Sequence, residues 1–337
     1  MGKKGVLLVN LGTPDAPTYG AVYKYLKQFL LDPRVIDIGT VPRNLLVRGI
    51  IAPFRSKSSA ELYQELWTEE GSPLKLYGYQ LQDLLQTAMG EEYKVVLAMR
   101  YQNPSVEEGL KQLLEEQVSE LIIVPLFPQY SSACTGSVYE EVMRLLMKEQ
   151  TMPKLKFVNS YYDHPEFIAA ILERAKEHQI EEYDHVLFSY HGLPVRQLVK
   201  GDRSQSHCQK VPNCCQVLTD NNQHCYSAQC HATTRTLVTA LGLKEGQYTT
   251  CFQSRLGKDP WVQPYTSDVL EERAKAGDKK LLVFCPAFVA DCLETTIEIS
   301  VEYQEEFEEM GGEKVQLVES LNNHPRWVEG LKNIILE

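Results

Sequence analysis

Eight short apolar runs alternate along the chain with longer segments of helical character. The runs are rich in β-branched residues and contain few polar positions, which is typical of strands buried on both faces of a parallel sheet. The longer segments between them fit the helices that connect parallel strands. The pattern predicts two α/β units, each with a mostly parallel four-stranded sheet. The runs are GVLLVN (5–10), KVVLAM (94–99), LIIVPL (121–126), LKFVNS (155–160), HVLFSYH (185–191), YTTCFQS (248–254), LLVFCP (281–286) and VQLVES (315–320).

The two halves of the chain also resemble each other. FVNSYYDHPEF around His164 matches LVESLNNHPRW around His324 at a constant offset of 160 residues, and each contains a strand, a turn and a His-Pro helix start. Such self-similarity supports a duplicated α/β domain. We therefore expect domains at 1–163 and 164–337, and the terminal helix is a candidate to pack back on the first domain.

Composition narrows the classes of function. The net charge of −11 repels phosphate backbones, which disfavours broad nucleic-acid binding. The opening MGKKGVLLVNLGTP leads directly from a short apolar run into a turn, as a first strand would and a secretory signal would not. No uncharged apolar run of about eighteen residues is present. We expect a cytoplasmic protein without a membrane span.

Candidate chemistry lies where predicted strands end, because ligands of open α/β sheets bind outside the carboxyl ends of the strands. His191 ends one strand in SYHGLP, and its imidazole could accept a proton, ligate a metal or merely bond the loop. Glu294, Glu298 and Glu302 recur every four residues after another strand. On a helix these three residues lie on one side. Such a row of carboxylates is usually a solvated face, but this helix begins at the carboxyl end of a strand, where ligands bind.

Five of the nine cysteines lie in HCQKVPNCCQVLTDNNQHCYSAQC, residues 207–230. In a reducing compartment closely spaced cysteines hold metal more often than they form disulfides. The spacing does not match the usual pair of short zinc motifs, and four intervening residues also occur in iron–sulfur sites. The residues alone leave zinc and iron–sulfur open.

Several motifs, in this order and over essentially the whole chain, resemble those of ferrochelatases. The resemblance implies insertion of ferrous iron into protoporphyrin IX, with loss of two pyrrole protons, to give haem b. It also implies two doubly wound, Rossmann-like domains around a porphyrin cleft, the chelatase-like fold. The motifs are LVNLGTP (8–14), MRYQNP (99–104), FPQYSSACTGS (127–137), SYHGLP (189–194), FQSRLGKDPWVQPYT (252–266) and PAFVADCLETTIEI (286–299).

By this resemblance His191 corresponds to the active-site histidine of the family, with proton acceptor and metal ligand as alternative roles. Glu294 corresponds to its partner glutamate, and Glu298 with Glu302 to an acidic line leading away. The implied Fe²⁺ ligands are His191, Glu294 and Glu298, a donor set that suits borderline Fe²⁺. Cys292 departs from members that have a second histidine there, and a buried neutral thiol is the expectation.

The resemblance also implies a porphyrin pocket. Leu11, Phe127, Trp261 and Phe288 match positions that wall the macrocycle, for which aromatic faces are suited. The remaining predicted porphyrin contacts are polar residues. For Arg100 among them, a structural salt bridge is the alternative. They are Arg55, Tyr63 and Ser72 at the pocket lip and Arg100 after the second strand.

The lip, about residues 39–58, mixes Leu, Ile and Phe with Arg43, Arg48, Arg55 and Lys57. This composition favours an interfacial surface on anionic lipid, or else a solvated helix over the core. In the family this region contacts membrane, so peripheral attachment is expected.

Some bacterial ferrochelatases contain an internal cysteine-rich insertion with a 2Fe-2S cluster, which the insertion at about 201–231 resembles. The implied ligands are Cys208, Cys225, Cys230 and one of the adjacent pair, with Cys215 preferred to Cys214. His207, His224 and His231 are the alternative ligands. Two other functions remain in view: a chelatase for another metal or tetrapyrrole, and a non-catalytic haem- or iron-sensing protein of the same fold.

Overall fold

The computed structural model of the protein describes residues 2–337. These residues form two compact units. The first contains the chain up to Phe127 together with Ser131–Ser160 and Leu331–Glu337. The second contains Pro128–Tyr130 and Tyr161–Gly330.

The first unit is built on a parallel sheet in the order β2-β1-β3-β4. Val6 of the central strand aligns with Val95 on one side and Ile122 on the other, so the apolar runs lie side by side. The four apolar runs of the first half are thereby confirmed as strands. The strands are β1 (Lys4–Gly12), β2 (Tyr93–Tyr101), β3 (Glu120–Pro125) and β4 (Lys154–Phe157).

Helices cover this sheet, and buried aliphatic side chains such as Leu7 and Leu121 form its core. Full burial of one such side chain stabilises by about 1.5–3 kcal/mol. Ser105 and Glu108 form a capping box that fixes the start of α5. The helices are α1 (Tyr19–Leu30), α2 (Thr40–Leu46), α3 (Ala52–Leu66), α4 (Pro73–Met89), α5 (Val106–Glu115) and α6 (Ser137–Leu146), with π-helical turns at Val47–Ile51 and Ser132–Gly136.

The second unit repeats the plan with a parallel sheet in the order β6-β5-β7-β8. Relative to chain order, this is the same arrangement as in the first unit, and all four predicted strands are confirmed. They are β5 (His185–His191), β6 (Tyr248–Gln253), β7 (Lys280–Phe284) and β8 (Lys314–Leu317).

The helices of this unit include a long π-helix, Leu293–Tyr303, whose i→i+5 bonding is rare and concentrated at functional sites. It runs on into a short α-helix. The α-helices, with a 3₁₀ turn at Ile180–Glu182, are α7 (Pro165–Ala175), α8 (Val195–Gly201), α9 (Tyr226–Leu241), α10 (Thr266–Ala276) and α11 (Gln304–Glu309). They are followed by α12 (Pro325–Leu336), whose residues from Leu331 onward belong to the first unit.

The repeated His-Pro segments start α7 and α12 in the same way. The Nδ1 atoms of His164 and His324 each accept a backbone N–H two residues ahead, at 3.2 Å. The two repeats also contact each other, because Glu166 forms an ion pair with Arg326. The rings of Phe167 and Trp327 pack edge to face, with centroids 6.1 Å apart.

Candidate functional site

His191 is the last residue of β5 and is half-buried. Its ring lies edge to face against two aromatic rings, with centroids 6.4 Å from Trp261 and 6.2 Å from Phe288. Three predicted site residues are therefore neighbours at the carboxyl end of this sheet. The imidazole is held between apolar walls, as a group that meets a flat aromatic ligand would be.

The turn after His191 is packed tightly. The Gly192 N–H donates to the Gln253 carbonyl at 2.9 Å, which continues the pairing of β5 with β6. A Cβ at position 192 would lie 2.8 Å from that carbonyl oxygen and 3.1 Å from Cε3 of Trp261. Val262 N–H donates to the Leu193 carbonyl at 3.0 Å and so fixes the loop that carries Trp261. Glycine is required because this loop and the end of β6 both press on the turn.

Glu298 lies in the π-helix, and its carboxylate accepts four hydrogen bonds. The donors are Gln253 Nε2 at 3.0 Å, Ser254 N–H at 2.7 Å, Ser254 Oγ at 2.6 Å and Tyr303 Oη at 3.1 Å. Burial, and next the Glu298 charge, raises the pKa of Tyr303, so this hydroxyl stays a donor. A carboxylate offers about four lone-pair sites, so a metal at Glu298 would have to replace one of these donors.

Gln253 connects the backbone of Glu294 to the turn after His191. Its Nε2 donates to the Glu294 carbonyl at 2.7 Å, and its own backbone carbonyl receives Gly192 N–H. Ser254 has a φ of 65°, the left-handed region that costs energy for a non-glycine residue. Sequence reasoning assigned no role to Gln253 or Ser254, although both lie in the FQSRLG motif that carried the resemblance.

The start of the π-helix is anchored to the segment that follows β8. Asp291 accepts hydrogen bonds from Thr295 Oγ1 at 3.0 Å and from Asn322 Nδ2 at 2.6 Å. Cys292 is buried, and this burial is the main reason that the pKa of its thiol is raised well above the ordinary value. The position therefore holds a neutral thiol, in line with the sequence expectation.

In the first unit, the predicted wall residues follow strand ends. Leu11 lies at the end of β1 and Phe127 follows β3, and both are half-buried. Ser72 is buried and donates to Thr13 Oγ1 at 3.0 Å. Tyr63 is buried in a cluster of rings next to Tyr25, at 6.4 Å.

The two arginines predicted to meet propionates differ in their surroundings. Arg55 is exposed on α3. Arg100 pairs with buried Asp32 at 2.8 Å, and the same carboxylate accepts from Tyr101 Oη at 2.9 Å and Ser137 Oγ at 2.6 Å. The contacts of Arg100 match the structural alternative raised from the sequence.

The lip presents apolar side chains to solvent. Four large ones are 56–77% exposed, and Arg48, Arg55 and Lys57 are exposed beside them. Arg43 is instead buried and donates to the Ile38 carbonyl at 3.0 Å, so it holds the chain and not a lipid. None of the helices in 2–337 is long and apolar enough to cross a membrane. The four apolar side chains are Val41, Leu45, Ile50 and Phe54.

The five clustered cysteines are neighbours and are all free thiols. The sulfurs of Cys214 and Cys215 are 3.6 Å apart. Cys215 also interacts with Cys225, and Cys208 interacts with Cys214. Cys230 interacts electrostatically with Cys215. Within the described chain, however, no three His, Cys, Asp or Glu side chains already surround a single metal position.

Four of the five thiols have a raised pKa, which favours their neutral form. Burial raises the pKa of Cys208 to about 11 and that of Cys230 well above its usual value. The bond between Cys215 and Cys225 raises the pKa of the first and lowers that of the second. Metal binding at this group would therefore release protons.

Side chains of the insertion hold its backbone. Asp202 accepts from the N–H groups of Ser204 at 3.0 Å, His207 at 2.9 Å and Cys208 at 2.8 Å. Asn222 is buried and donates to the Cys214 carbonyl at 2.7 Å. The segment is thus ordered by its own polar side chains, which its irregular sequence did not reveal.

The alternative histidine ligands have other surroundings. A ring nitrogen of His207 bonds the Cys214 carbonyl at 3.1 Å. His231 packs on Phe252, and burial lowers its pKa to about 4. His224 is exposed.

Comparison with known proteins agrees with the motifs. The ferrochelatase family model matches residues 3–337. A Legionella pneumophila ferrochelatase is 45% identical over 336 residues, 99% of both chains. A Coxiella burnetii ferrochelatase is 44% identical over 330 residues, 98% of this chain and 92% of that one.

A solved structure, SirB from Bacillus subtilis with Fe³⁺, covers 99% of this chain and 95% of its own. Its TM-score is 0.52 at 13% identity, which is a likeness of fold. The sequence matches carry further, because they extend over nearly the whole length at high identity. The chain belongs to the ferrochelatase family.

Proposed function

We propose that His191 and Glu294 perform the metal insertion of this member of the ferrochelatase family. The chain inserts Fe²⁺ into protoporphyrin IX, releases two pyrrole protons and forms haem b, the terminal step of haem biosynthesis. The observation that carries the residue assignment is the imidazole of His191, held at a strand end between Trp261 and Phe288.

The reaction requires a base for the pyrrole protons and ligands for iron that sheds water. A neutral imidazole can take a pyrrole proton or bind Fe²⁺ through a ring nitrogen. Glu294 lies in the first turn of the π-helix, and Gln253 at the end of β6 bonds both the Glu294 carbonyl and the Gly192 N–H that follows His191. This connection supports a joint role for the two residues.

Glu298 supplies a fixed negative charge behind this pair. Its four hydrogen bonds hold the carboxylate in place, and exchange of one donor for Fe²⁺ would make it the third metal contact. Glu302 follows one turn later and is exposed, so the acidic line extends toward solvent. We propose this line as a route for protons or iron.

The porphyrin is proposed to lie against Leu11, Phe127, Trp261 and Phe288. Arg55 is the favoured partner of a propionate because it is exposed at the lip, where Tyr63 and Ser72 complete the predicted polar set. For Arg100 the ion pair with Asp32 favours the structural role.

A 2Fe-2S cluster is proposed on Cys208, Cys215, Cys225 and Cys230. Cys215 interacts with Cys208, Cys225 and Cys230, so the four proposed ligands are neighbours. A binuclear cluster is held by two thiolates on each iron, so it does not require three ligands around one point. When bound, the cluster would link the insertion to α9. Zinc remains the competing occupant of the same thiols.

Peripheral contact with an anionic membrane is proposed for the lip. Its exposed Val41, Leu45, Ile50 and Phe54 can enter the interface while Arg48 and Lys57 meet headgroups. Such contact would suit a porphyrin substrate that is poorly soluble.

The decisive test is an anaerobic assay of purified protein with Fe²⁺ and protoporphyrin IX, followed by metalloporphyrin absorbance. We expect haem formation that His191→Ala abolishes. A panel of Co²⁺, Ni²⁺ and other tetrapyrroles separates the chelatase alternative, since a better substrate there would overturn the assignment. Haem binding without turnover would favour the sensing alternative.

A further inference from the structure

Tyr226 connects the cysteine-rich insertion to the active-site strand. It directly follows Cys225 and is the first residue of α9, with its side chain buried. Its hydroxyl donates to the His191 carbonyl oxygen at 2.9 Å. The same side chain interacts with the thiol of Cys230, one turn further along α9. A single side chain therefore contacts both the active-site backbone and the thiol group.

The bond acts on a defined peptide. The peptide group between His191 and Gly192 contributes its N–H to the Gln253 carbonyl and its C=O to Tyr226. It is held from β6 at one end and from α9 at the other. Because the orientation of this peptide sets the backbone torsion of His191, it also sets the direction in which the imidazole enters the space beside Trp261.

We propose that Tyr226 is a positioning residue for His191 and transmits to it the arrangement of the cysteine group. The proposal rests on the function proposed above. Cys225 and Cys230 flank Tyr226 in the first turns of α9, so anything that draws these thiols to a common position also fixes the tyrosine hydroxyl. Loss of that constraint lets the peptide after His191 reorient.

The first test is Tyr226→Phe, which keeps the ring and removes the hydroxyl. We expect kcat to fall about five- to tenfold, the scale of one lost hydrogen bond, while KM for porphyrin stays within about twofold. In ¹⁵N-histidine NMR the His191 signal, identified by its loss in His191→Ala, should shift. The matched control is Tyr139→Phe, which removes a comparable bond to the Val158 carbonyl at 2.8 Å and should change neither readout.

The second test separates transmission from simple support. Cys208→Ser changes a thiol at the other end of the insertion from Tyr226, where Cys208 interacts with Cys214 and Cys215, so transmission to the His191 signal would run through the insertion. We expect this variant to shift the signal in the wild-type background and not in Tyr226→Phe. An unshifted signal in Cys208→Ser, or the same shift in both backgrounds, overturns transmission.

Failure of the proposal is distinguishable from failure of the proposed function. An active wild type with an equally active Tyr226→Phe variant and an unmoved His191 signal overturns the positioning role. An inactive wild type overturns the proposed function, while the NMR comparison still decides whether Tyr226 places the imidazole. If Tyr226→Phe does not fold, an unshifted His191 signal in Cys208→Ser still overturns transmission.

Discussion

Replacement of Gly192 by alanine should separate tight packing at the active-site turn from ordinary glycine effects. The added methyl would lie 2.8 Å from the Gln253 carbonyl oxygen and 3.1 Å from the Trp261 ring. The first neighbour is backbone within the sheet and cannot yield, so the turn or the ring must move. Overpacking of this kind costs about 1–3 kcal/mol. Strain on the Gly192–Gln253 hydrogen bond adds up to about 1 kcal/mol.

The control is Gly201→Ala, at the end of α8 in the same unit. A Cβ there meets no heavy atom within 4 Å. Alanine at a compatible glycine position stabilises by about 0.4–1 kcal/mol because it restricts the unfolded chain. The two substitutions are chemically identical, and they should change the free energy of unfolding in opposite directions.

Urea denaturation measures the two free energies, and comparison of midpoints is valid where the m-value is unchanged. We also expect Gly192→Ala to lower kcat/KM at least tenfold, since displacement of His191 or Trp261 by a fraction of an ångström disturbs positioning. A Gly192→Ala variant as stable and as active as the wild type would refute the packing argument. Gly201→Ala should retain full activity.

His191→Ala should leave a folded protein with almost no activity. A loss of less than tenfold, which corresponds to a barrier change of about 1.4 kcal/mol, would contradict the catalytic assignment. Adding a Glu294 substitution should cost little more, whereas fully additive losses would indicate separate roles. Cys230→Ser should bleach the reddish-brown colour of anaerobically purified protein while Cys134→Ser keeps it; one zinc per chain without labile sulfide would contradict the cluster. Burial lowers the pKa of His185, so an unfolded imidazole takes up protons below about pH 6.5 that the folded one does not. Stability should therefore decline as pH falls from that value, and less so in His185→Gln, as pH-dependent denaturation would measure.

The strands were predictable because strands buried on both faces must be apolar throughout, as in Val6–Val9 and Leu281–Phe284. The candidate residues followed from the rule that strand ends form the ligand edge, which places His191 correctly at the end of β5. Both inferences depend on local pattern alone.

Contacts between distant segments could not be predicted in this way. The π-helix around Glu298 has no hydrophobic periodicity that would distinguish it from an α-helix in the sequence. The left-handed backbone at position 254 could not be predicted either, because the residue there is serine and not glycine. The sequence predicts Arg43 to be a surface charge, but the fold buries it and brings it to the Ile38 carbonyl. Thiol spacing likewise says nothing about the Tyr226 bond to His191, which joins residues 35 positions apart.

The charges at the contact between the two His-Pro repeats favour one kind of pairing over another. Glu166 and Arg326 occupy equivalent places in the repeat and are ion-paired with each other. Two identical half-length chains could form the same contact only with like charges opposed, which is repulsive. The opposite charges make the contact attractive between the two unlike repeats. The pair thus favours contact between unlike repeats over contact between two copies of either one.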